Sequence, residues 1–166
     1  KTHRITFLSY CFCFSIFVAE VLCRPRYFRP PKYLDTIKYD DCARFIPEIR
    51  YAKVVKVYDG DTITVACKYP IRGKQLYRFS VRLAGIDAPE LNSNNSNERI
   101  HANVSRTNLQ GLIFNETVSL ENVRIEKYGR LLADVYFHDL HVNAWLLDNE
   151  YAIPYYGGKK QKIDYE

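Results

Sequence analysis

Hydrophobic and polar residues alternate over much of the chain beyond residue 50, and this alternation predicts short β-strands. The stretch AKVVKVYDGDTITVACK (52–68) has β-branched residues on both sides of Asp59-Gly60, which is typical of a β-hairpin. TVSLENV (117–123) and RLLADVYF (130–137) predict two further strands. The strand predicted at YRFSVRLAGI (77–86) has two distinct faces: a hydrophobic face with Phe79, Val81 and Leu83, and a polar face with Arg78, Ser80 and Arg82.

Two other segments have the longer period of a helix. ERIHANVSRTNLQGLIF (98–114) predicts one helix after a polar loop at Asn92–Asn97, and HVNAWLLDNEYA (141–152) predicts a second, shorter helix. This order of elements favours an α+β, mainly β fold: a five-stranded Greek-key barrel of the oligonucleotide-binding (OB) type with two packed helices. The hydrophobic face predicted for the first helix comprises Ile100, Val104, Leu109 and Leu112.

The N-terminal residues 1–23 form a separate apolar segment. An uncharged run from Ile5 to Ala19 follows a positively charged start, which predicts a secretory signal peptide. A membrane anchor is the main alternative, although roughly 20 apolar residues are needed to cross a bilayer, and a buried helix is the third. We therefore expect a secreted or membrane-anchored protein, with membrane association through residues 5–23, while a cytoplasmic location stays open.

The next segment, residues 24–50, is rich in proline and tyrosine. Its stretch RPRYFRPPKY cannot lie inside a helix, because each proline removes a hydrogen-bond donor and fixes φ. We predict a basic linker with a short ordered lead-in at about 41–50, then a domain at 51–158 and a tail at 159–166. Residues 1–50 contain nine Lys/Arg and five Asp/Glu, which is most of the net charge of +5. Net charge alone therefore does not indicate a polyanionic partner for the domain.

Cysteine and histidine positions give little indication of function. Three of the five cysteines lie in the apolar segment, which leaves Cys42 and Cys67 in the rest of the chain. For these two, a disulfide and two separate thiols both stay open. No spacing of cysteine and histidine suggests a zinc site, so any chemistry must come from other side chains.

Five charged residues fall at predicted strand ends and turns, where a barrel presents functional groups at its rim. Two aspartates, Asp61 and Asp87, together with backbone carbonyls and water would form an oxygen site suited to Ca²⁺. The guanidinium groups of Arg82 and Arg130 match the geometry of phosphate oxygens. The carboxylate of Glu90 could orient or deprotonate a water molecule. Together these groups indicate hydrolysis of a phosphodiester.

Three motifs occur in one order along the chain: YDGDT (58–62), RLAGIDAPE (82–90) and EKYGR (126–130) followed by LLADVY. In this respect the chain resembles the staphylococcal nuclease (thermonuclease) family over roughly residues 51–158. The resemblance implies a Ca²⁺-dependent nuclease on an OB-type barrel that cleaves DNA, RNA or both. For this chain we expect DNA or RNA as partner and favour a monomer.

The resemblance also implies which residues bind metal and substrate. Asp61 and Asp87 match the calcium aspartates of the family, and Ala88 replaces a threonine that is common there. Because this position contributes its backbone carbonyl, we expect alanine to be tolerated as a metal ligand. Tyr156 lies near a position where the family has a substrate-contacting tyrosine. The substrate-binding candidates are Tyr156, Lys127 and Tyr128.

The predicted catalytic residues are Arg82, Glu90 and Arg130. By motif, the two arginines match the pair that grips the phosphate, and Glu90 matches the glutamate that activates the attacking water. The main alternative is a catalytically inactive module that binds nucleic acid or protein on the same barrel. Such modules lose the arginines or the glutamate, so their presence here favours the enzyme. A membrane-anchored binding protein is a second alternative.

Overall fold

A computed structural model of the chain describes residues 30–158. The described part of the predicted linker has two exposed 3-10 helices, Lys32–Thr36 and Tyr39–Asp41. The predicted signal peptide or anchor (1–23) and the predicted tail (159–166) lie outside the described residues. Between residues 30 and 158, every helix is too short or too polar to cross a membrane. Cys42 and Cys67 are both free thiols.

Five long strands in residues 45–158 form a closed barrel. They are β1 (Tyr51–Val57), β2 (Thr62–Lys68), β3 (Leu76–Leu83), β5 (Thr117–Ile125) and β6 (Leu131–Phe137). Their order is β3-β2-β1-β5-β6, with antiparallel neighbours, and a parallel pairing of β3 with β6 closes the barrel. The prediction of a five-stranded OB-type barrel with two helices is confirmed.

The remaining elements are short strands and two helices at the ends of the barrel. They are β4 (Ile86–Asp87), α1 (Ser96–Ile113), β7 (Leu140–His141), α2 (Val142–Asp148) and β8 (Ile153–Pro154). The antiparallel pair of β4 and β8 brings the last described segment beside the RLAGIDAPE motif. The side chain of the buried Asn143 joins α2 to the barrel by bonding Val135 N–H (3.0 Å) and the Ala84 carbonyl (2.9 Å).

The core is formed by the alternate residues of the strands that point into the barrel. Val54, Ile63, Val65, Val81 and Leu83 are all fully buried. The hydrophobic face predicted for the third strand therefore points inward as expected. Its polar face, which carries Arg82, points outward, because successive side chains of a strand lie on opposite sides.

Helix α1 packs on the barrel with a different face from the one predicted. Ile100 and Val104 are 61% and 44% exposed, so the predicted face was wrong at these positions. Leu109 is buried as predicted, and the other buried residues on the helix are Ala102, Ser105 and Ile113. The contact is close, since a Cβ on Gly60 would lie 2.0 Å from the Ser105 Oγ. At this point of the interface the helix therefore presents a small side chain, Ser105, to the barrel.

Candidate active site

The turn between β1 and β2 fixes the first aspartate of the site. The Asp61 N–H donates to the Asp59 side chain (3.0 Å), and the Asp61 carbonyl accepts from Leu83 N–H (2.8 Å). Gly60 in this turn is buried against α1, where any side chain would collide with Ser105. Local hydrogen bonds and packing together therefore hold Asp61 at the rim of the barrel.

Arg82 connects the two predicted metal aspartates. Its guanidinium group donates to Asp61 Oδ1 (3.1 Å) and lies 3.0 Å from Asp61 Oδ2. The Nη2 atom of Arg82 also donates to Asp87 Oδ1 (2.8 Å). Asp61 accepts two more hydrogen bonds, from the Thr62 hydroxyl (2.8 Å) and from Ala88 N–H (3.2 Å). The structure thus brings the predicted residues Asp61, Arg82, Asp87 and Ala88 together in one cluster.

Burial dominates the electrostatics of this cluster. Asp61 is 3% exposed and Asp87 7% exposed. Burial raises the pKa of Asp61 to about 7, and the charge of Asp59 adds to the shift, while Arg82 acts in the opposite direction. For Arg82, burial alone would lower the pKa, but the neighbouring carboxylates of Asp61 and Asp87 outweigh it and raise the pKa. Two buried carboxylates share one guanidinium, so a further cation would be favourable here.

The donor atoms of the cluster fit a hard cation by type and charge. Across residues 30–158, no group of three or more His, Cys, Asp or Glu side chains could hold a metal ion. The cluster offers two carboxylates, from Asp61 and Asp87, and Ala88 adjoins Asp61 through its backbone N–H. Ca²⁺ accepts carboxylate, carbonyl and water oxygens in a flexible shell, so waters would have to supply the remaining ligands.

Arg130 reaches the same cluster from the turn before β6. In this turn Gly129 has a φ of +83°, a conformation that favours glycine. The Arg130 side chain forms an ion pair with Glu126 and donates to the Thr62 hydroxyl (3.5 Å), which in turn donates to Asp61. Sequence reasoning assigned no role to Thr62 or Glu126. For Thr62, a hydroxyl directly after Asp61 was the available signal.

Glu90 lies on an exposed loop just beyond β4. Its backbone N–H donates to Glu98 Oε1 of helix α1 (3.1 Å), and the Ser93 hydroxyl donates to the other Glu98 oxygen. Arg99 of helix α1 also contacts this loop, because its guanidinium group donates a hydrogen bond to the Ser93 carbonyl (2.8 Å). Sequence reasoning missed Glu98. The signal was present, because Asn95 three residues before Glu98 forms the pattern of a helix N-terminus.

An open groove of about 570 Å³ adjoins Arg82. Tyr156 and Lys127 line it, and Tyr156 is 89% exposed. Gly85, which also lines the groove, has a φ of +76°, a conformation that favours glycine. Tyr128 is also exposed, and the Lys127 Nζ lies 4.7 Å from its ring centroid. The lining also includes two residues that sequence reasoning missed, Arg124 and Tyr155.

Comparisons with known proteins bear on this arrangement. A protein-family model described as "Staphylococcal nuclease homologue" matches residues 80–166. An "Uncharacterized endonuclease" of Haemophilus influenzae is 32% identical over 114 residues, which are 69% of this chain and 56% of that protein. The "Micrococcal nuclease" of Shigella flexneri is 36% identical over 84 residues, or 51% and 41% of the two chains. A "Probable staphylococcal-like nuclease CAN2" of Oryza sativa subsp. japonica is 32% identical over 75 residues, or 45% and 19%.

The family-model match lies in the part of the chain that carries two residues of the cluster, Arg82 and Asp87. The chain spans 56% of the length of the Haemophilus influenzae relative and 41% of the length of the Shigella flexneri relative. The family model covers more than half of the chain, and its match includes Arg82, Asp87, Glu90 and Arg130. The resemblance inferred from the three sequence motifs is confirmed, and the chain belongs to the staphylococcal nuclease homologue family.

Proposed function

We propose that this protein is a Ca²⁺-dependent nuclease that hydrolyses phosphodiester bonds in DNA, RNA or both. The observation that carries the proposal is Arg82, held between the buried Asp61 and Asp87 at the barrel rim. Arg130 adjoins the same group through Thr62. The names of the relatives, endonuclease and micrococcal nuclease, support a nuclease in general.

The two arginines would bind the phosphate that is cleaved. A guanidinium group presents several N–H donors in one plane, which matches two phosphate oxygens at once. The aspartates already orient Arg82, and Glu126 orients Arg130, so little side-chain entropy is lost when the substrate arrives. Both cations then stabilise the negative charge that develops on the phosphate in the transition state.

Asp61, Asp87 and the Ala88 carbonyl would hold the calcium ion. When bound, such an ion polarises a phosphate oxygen and orients the reacting groups. The proposed role of the protein residues is to supply two carboxylate oxygens and one carbonyl in a buried setting. The unfavourable burial that raises the pKa of Asp61 is the physical reason for binding a cation there.

Glu90 would activate the attacking water. The water oxygen would form the new bond to phosphorus while one water proton passes to a Glu90 carboxylate oxygen. The bond from phosphorus to the sugar oxygen would break, and that oxygen would leave with the electron pair and take a proton from solvent. Glu90 is exposed on its loop, so that solvent can reach this residue. The tie from Glu98 to the Glu90 backbone would keep the carboxylate near the phosphate.

The test is cleavage of DNA and of RNA by the full chain, with Ca²⁺ or with excess chelator. We expect activity with Ca²⁺ only, and its loss in Asp61→Asn and Asp87→Asn. Asp139→Asn, in the exposed turn after β6, is the matched control and should behave like the wild type. Full activity in chelator would overturn the metal assignment. A folded protein that binds nucleic acid but never cleaves it would support the inactive binding module instead.

A further inference from the structure

Strands β1, β2 and β3 differ in charge from the other two strands of the barrel. Together they contain five lysines and arginines and no aspartate or glutamate. In contrast, β5 and β6 contain one arginine, one glutamate and one aspartate. Cations concentrated on neighbouring strands favour a positive potential over one side of the barrel, although Arg82 contributes little because it is paired with Asp61 and Asp87. The five residues are Lys53, Lys56, Lys68, Arg78 and Arg82.

The strand register arranges the outward side chains of β1, β2 and β3 in rows. From β1 through β2 to β3, the first row is Lys53–Ala66–Arg78 and the second row is Lys56–Thr64–Ser80. Both rows have a cation on β1, the first row also has one on β3, and short side chains occupy the middle position on β2. In the next row, Thr62 on β2 lies opposite Arg82 on β3. We call this face, with Lys53, Lys56 and Arg78, the basic strip.

The cations of the basic strip are available to an anionic ligand. Lys53, Lys56 and Arg78 are exposed, and between residues 30 and 158 none of them takes part in an ion pair. In the same part of the chain, the ion pairs are those of Arg82 and Arg130 with carboxylates. Because none of these three cations forms an ion pair with a carboxylate of the described residues, phosphate groups could release counterions on binding to the strip.

A groove of about 390 Å³ lies at the end of the strip remote from Arg82. Lys53 and Lys68 line it together with Tyr51, which is 59% exposed. Arg50 also lines it, with its guanidinium 5.3 Å from the Tyr51 ring centroid. Glu48 is the one carboxylate among the lining residues that the structure describes. An exposed aromatic ring among cations is suited to stacking an unpaired base beside its phosphate.

We propose that the basic strip binds the single nucleic-acid strand that extends from the active site. The proposal rests on the proposed nuclease function and adds a second contact region to it. Strand β2 has seven residues, so the strip is ~20 Å long at about 3.3 Å per residue. Several nucleotides would therefore lie between the phosphate at Arg82 and a base at Tyr51. OB-type barrels bind oligonucleotides on this strand face, and cations with aromatic rings bind single strands without reading sequence.

The test compares a long and a short substrate in the variant Lys53→Gln/Lys56→Gln/Arg78→Gln. The long substrate is a single-stranded oligonucleotide of more than about 16 nucleotides, the upper end of the site size of one OB barrel. The short substrate is a dinucleotide, which cannot reach from Arg82 to Lys53. We expect KM for the long substrate to rise about tenfold or more, and kinetics with the dinucleotide to stay unchanged. The slope of log KM against log salt should fall by about 2, since each lost phosphate contact removes about 0.7.

The matched control, Lys32→Gln/Lys38→Gln/Arg44→Gln, removes the same three charges from residues 30–44. An equal rise in KM in this control would overturn the proposal, because net charge alone would then explain the effect. An unchanged KM in the strip variant, with a wild-type melting temperature, would also overturn it while leaving the nuclease function intact. A rise in KM confined to duplex substrate would contradict the single-strand assignment. Absence of cleavage of both substrates by the wild type would instead refute the proposed function itself.

Discussion

Two parts of the proposed site are close in sequence but differ in construction. One is the charged cluster of Asp61, Arg82 and Asp87, and the other is the loop that carries Glu90. The cluster lies where strands meet at the barrel rim, its two aspartates are buried, and Arg82 contacts both of them. Glu90 is exposed, and its backbone is tied to helix α1 through the side chain of Glu98. One part is fixed by the barrel and the other by a helix that packs beside it.

This difference in construction matches the different roles that we propose for the cluster and for Glu90. Groups that would hold a phosphate and a cation stabilise the transition state because their orientation is fixed. They must therefore not move as negative charge develops on the phosphate. A group that takes a proton from water needs access to solvent, which an exposed loop provides. Damage to the cluster should therefore affect every step, whereas damage to the loop should affect turnover alone.

The largest effect is expected for Arg82→Lys. Lysine keeps the charge but loses the planar donors that contact both aspartates and the phosphate. Turnover should fall by about 100- to 1000-fold, the usual result of removing one such donor, in single-turnover cleavage assays. Arg72→Lys, in the exposed turn before β3, is the matched control. Near-normal cleavage by Arg82→Lys would mean that Arg82 serves the fold and not the phosphate.

Glu90→Gln should separate the loop from the cluster. The change keeps size and hydrogen bonding but removes the basic oxygen, so kcat should fall by roughly 100-fold or more. Binding of an oligonucleotide and the melting temperature should stay at wild-type values, because Arg82 and Arg130 remain. Glu150→Gln, in the turn after α2, controls for loss of one exposed carboxylate. A variant that melts early and cuts at the wild-type rate would refute the catalytic role.

Gly60→Ala tests the packing that holds the cluster. A Cβ at this position would lie 2.0 Å from Ser105 Oγ and 2.8 Å from the Ala88 Cβ. We expect a loss of about 1–3 kcal/mol in the free energy of unfolding, together with weaker metal-dependent activity. Gly111→Ala is the control, since a Cβ there meets nothing within 4 Å and should stabilise α1 by about 0.5–1 kcal/mol. Equal melting temperatures for the two variants would contradict the close contact.

The smallest effect is expected for Glu98→Ala, which removes the acceptor for Glu90 N–H and the Ser93 hydroxyl. A hydrogen bond to a charged group contributes about 1.5–3 kcal/mol to stability. We expect part of this free energy to be lost from the transition state, which would lower kcat by about tenfold and leave KM unchanged. Glu98→Gln keeps one acceptor and should recover most of the loss. A purely structural role would lower the melting temperature without this split between kcat and KM.

Much of the barrel could be predicted because its signals are local. The turn residues Asp59-Gly60 lie between two runs of β-branched residues, and the structure has β1 and β2 there, paired with a register shift between Val54 and Lys56. Helix α1 was also predicted, although it begins at Ser96 and not at Glu98. The prediction of which face of α1 is buried was partly wrong. Hydrophobicity favoured Ile100 and Val104, whereas the close contact with Gly60 requires a small residue such as Ser105.

The sequence by itself determined the five long strands, the family and the residue types available at the predicted site, because these depend on residue type and short spacing. Only the tertiary structure decided which groups meet. The parallel pairing of β3 with β6 sets Arg82 opposite Leu132, two residues beyond Arg130, and so brings two distant motifs to one rim. The tie from Glu98 to Glu90 and the rows of the basic strip arise in the same way. Contacts between elements depend on how the barrel closes and packs, which no local pattern specifies.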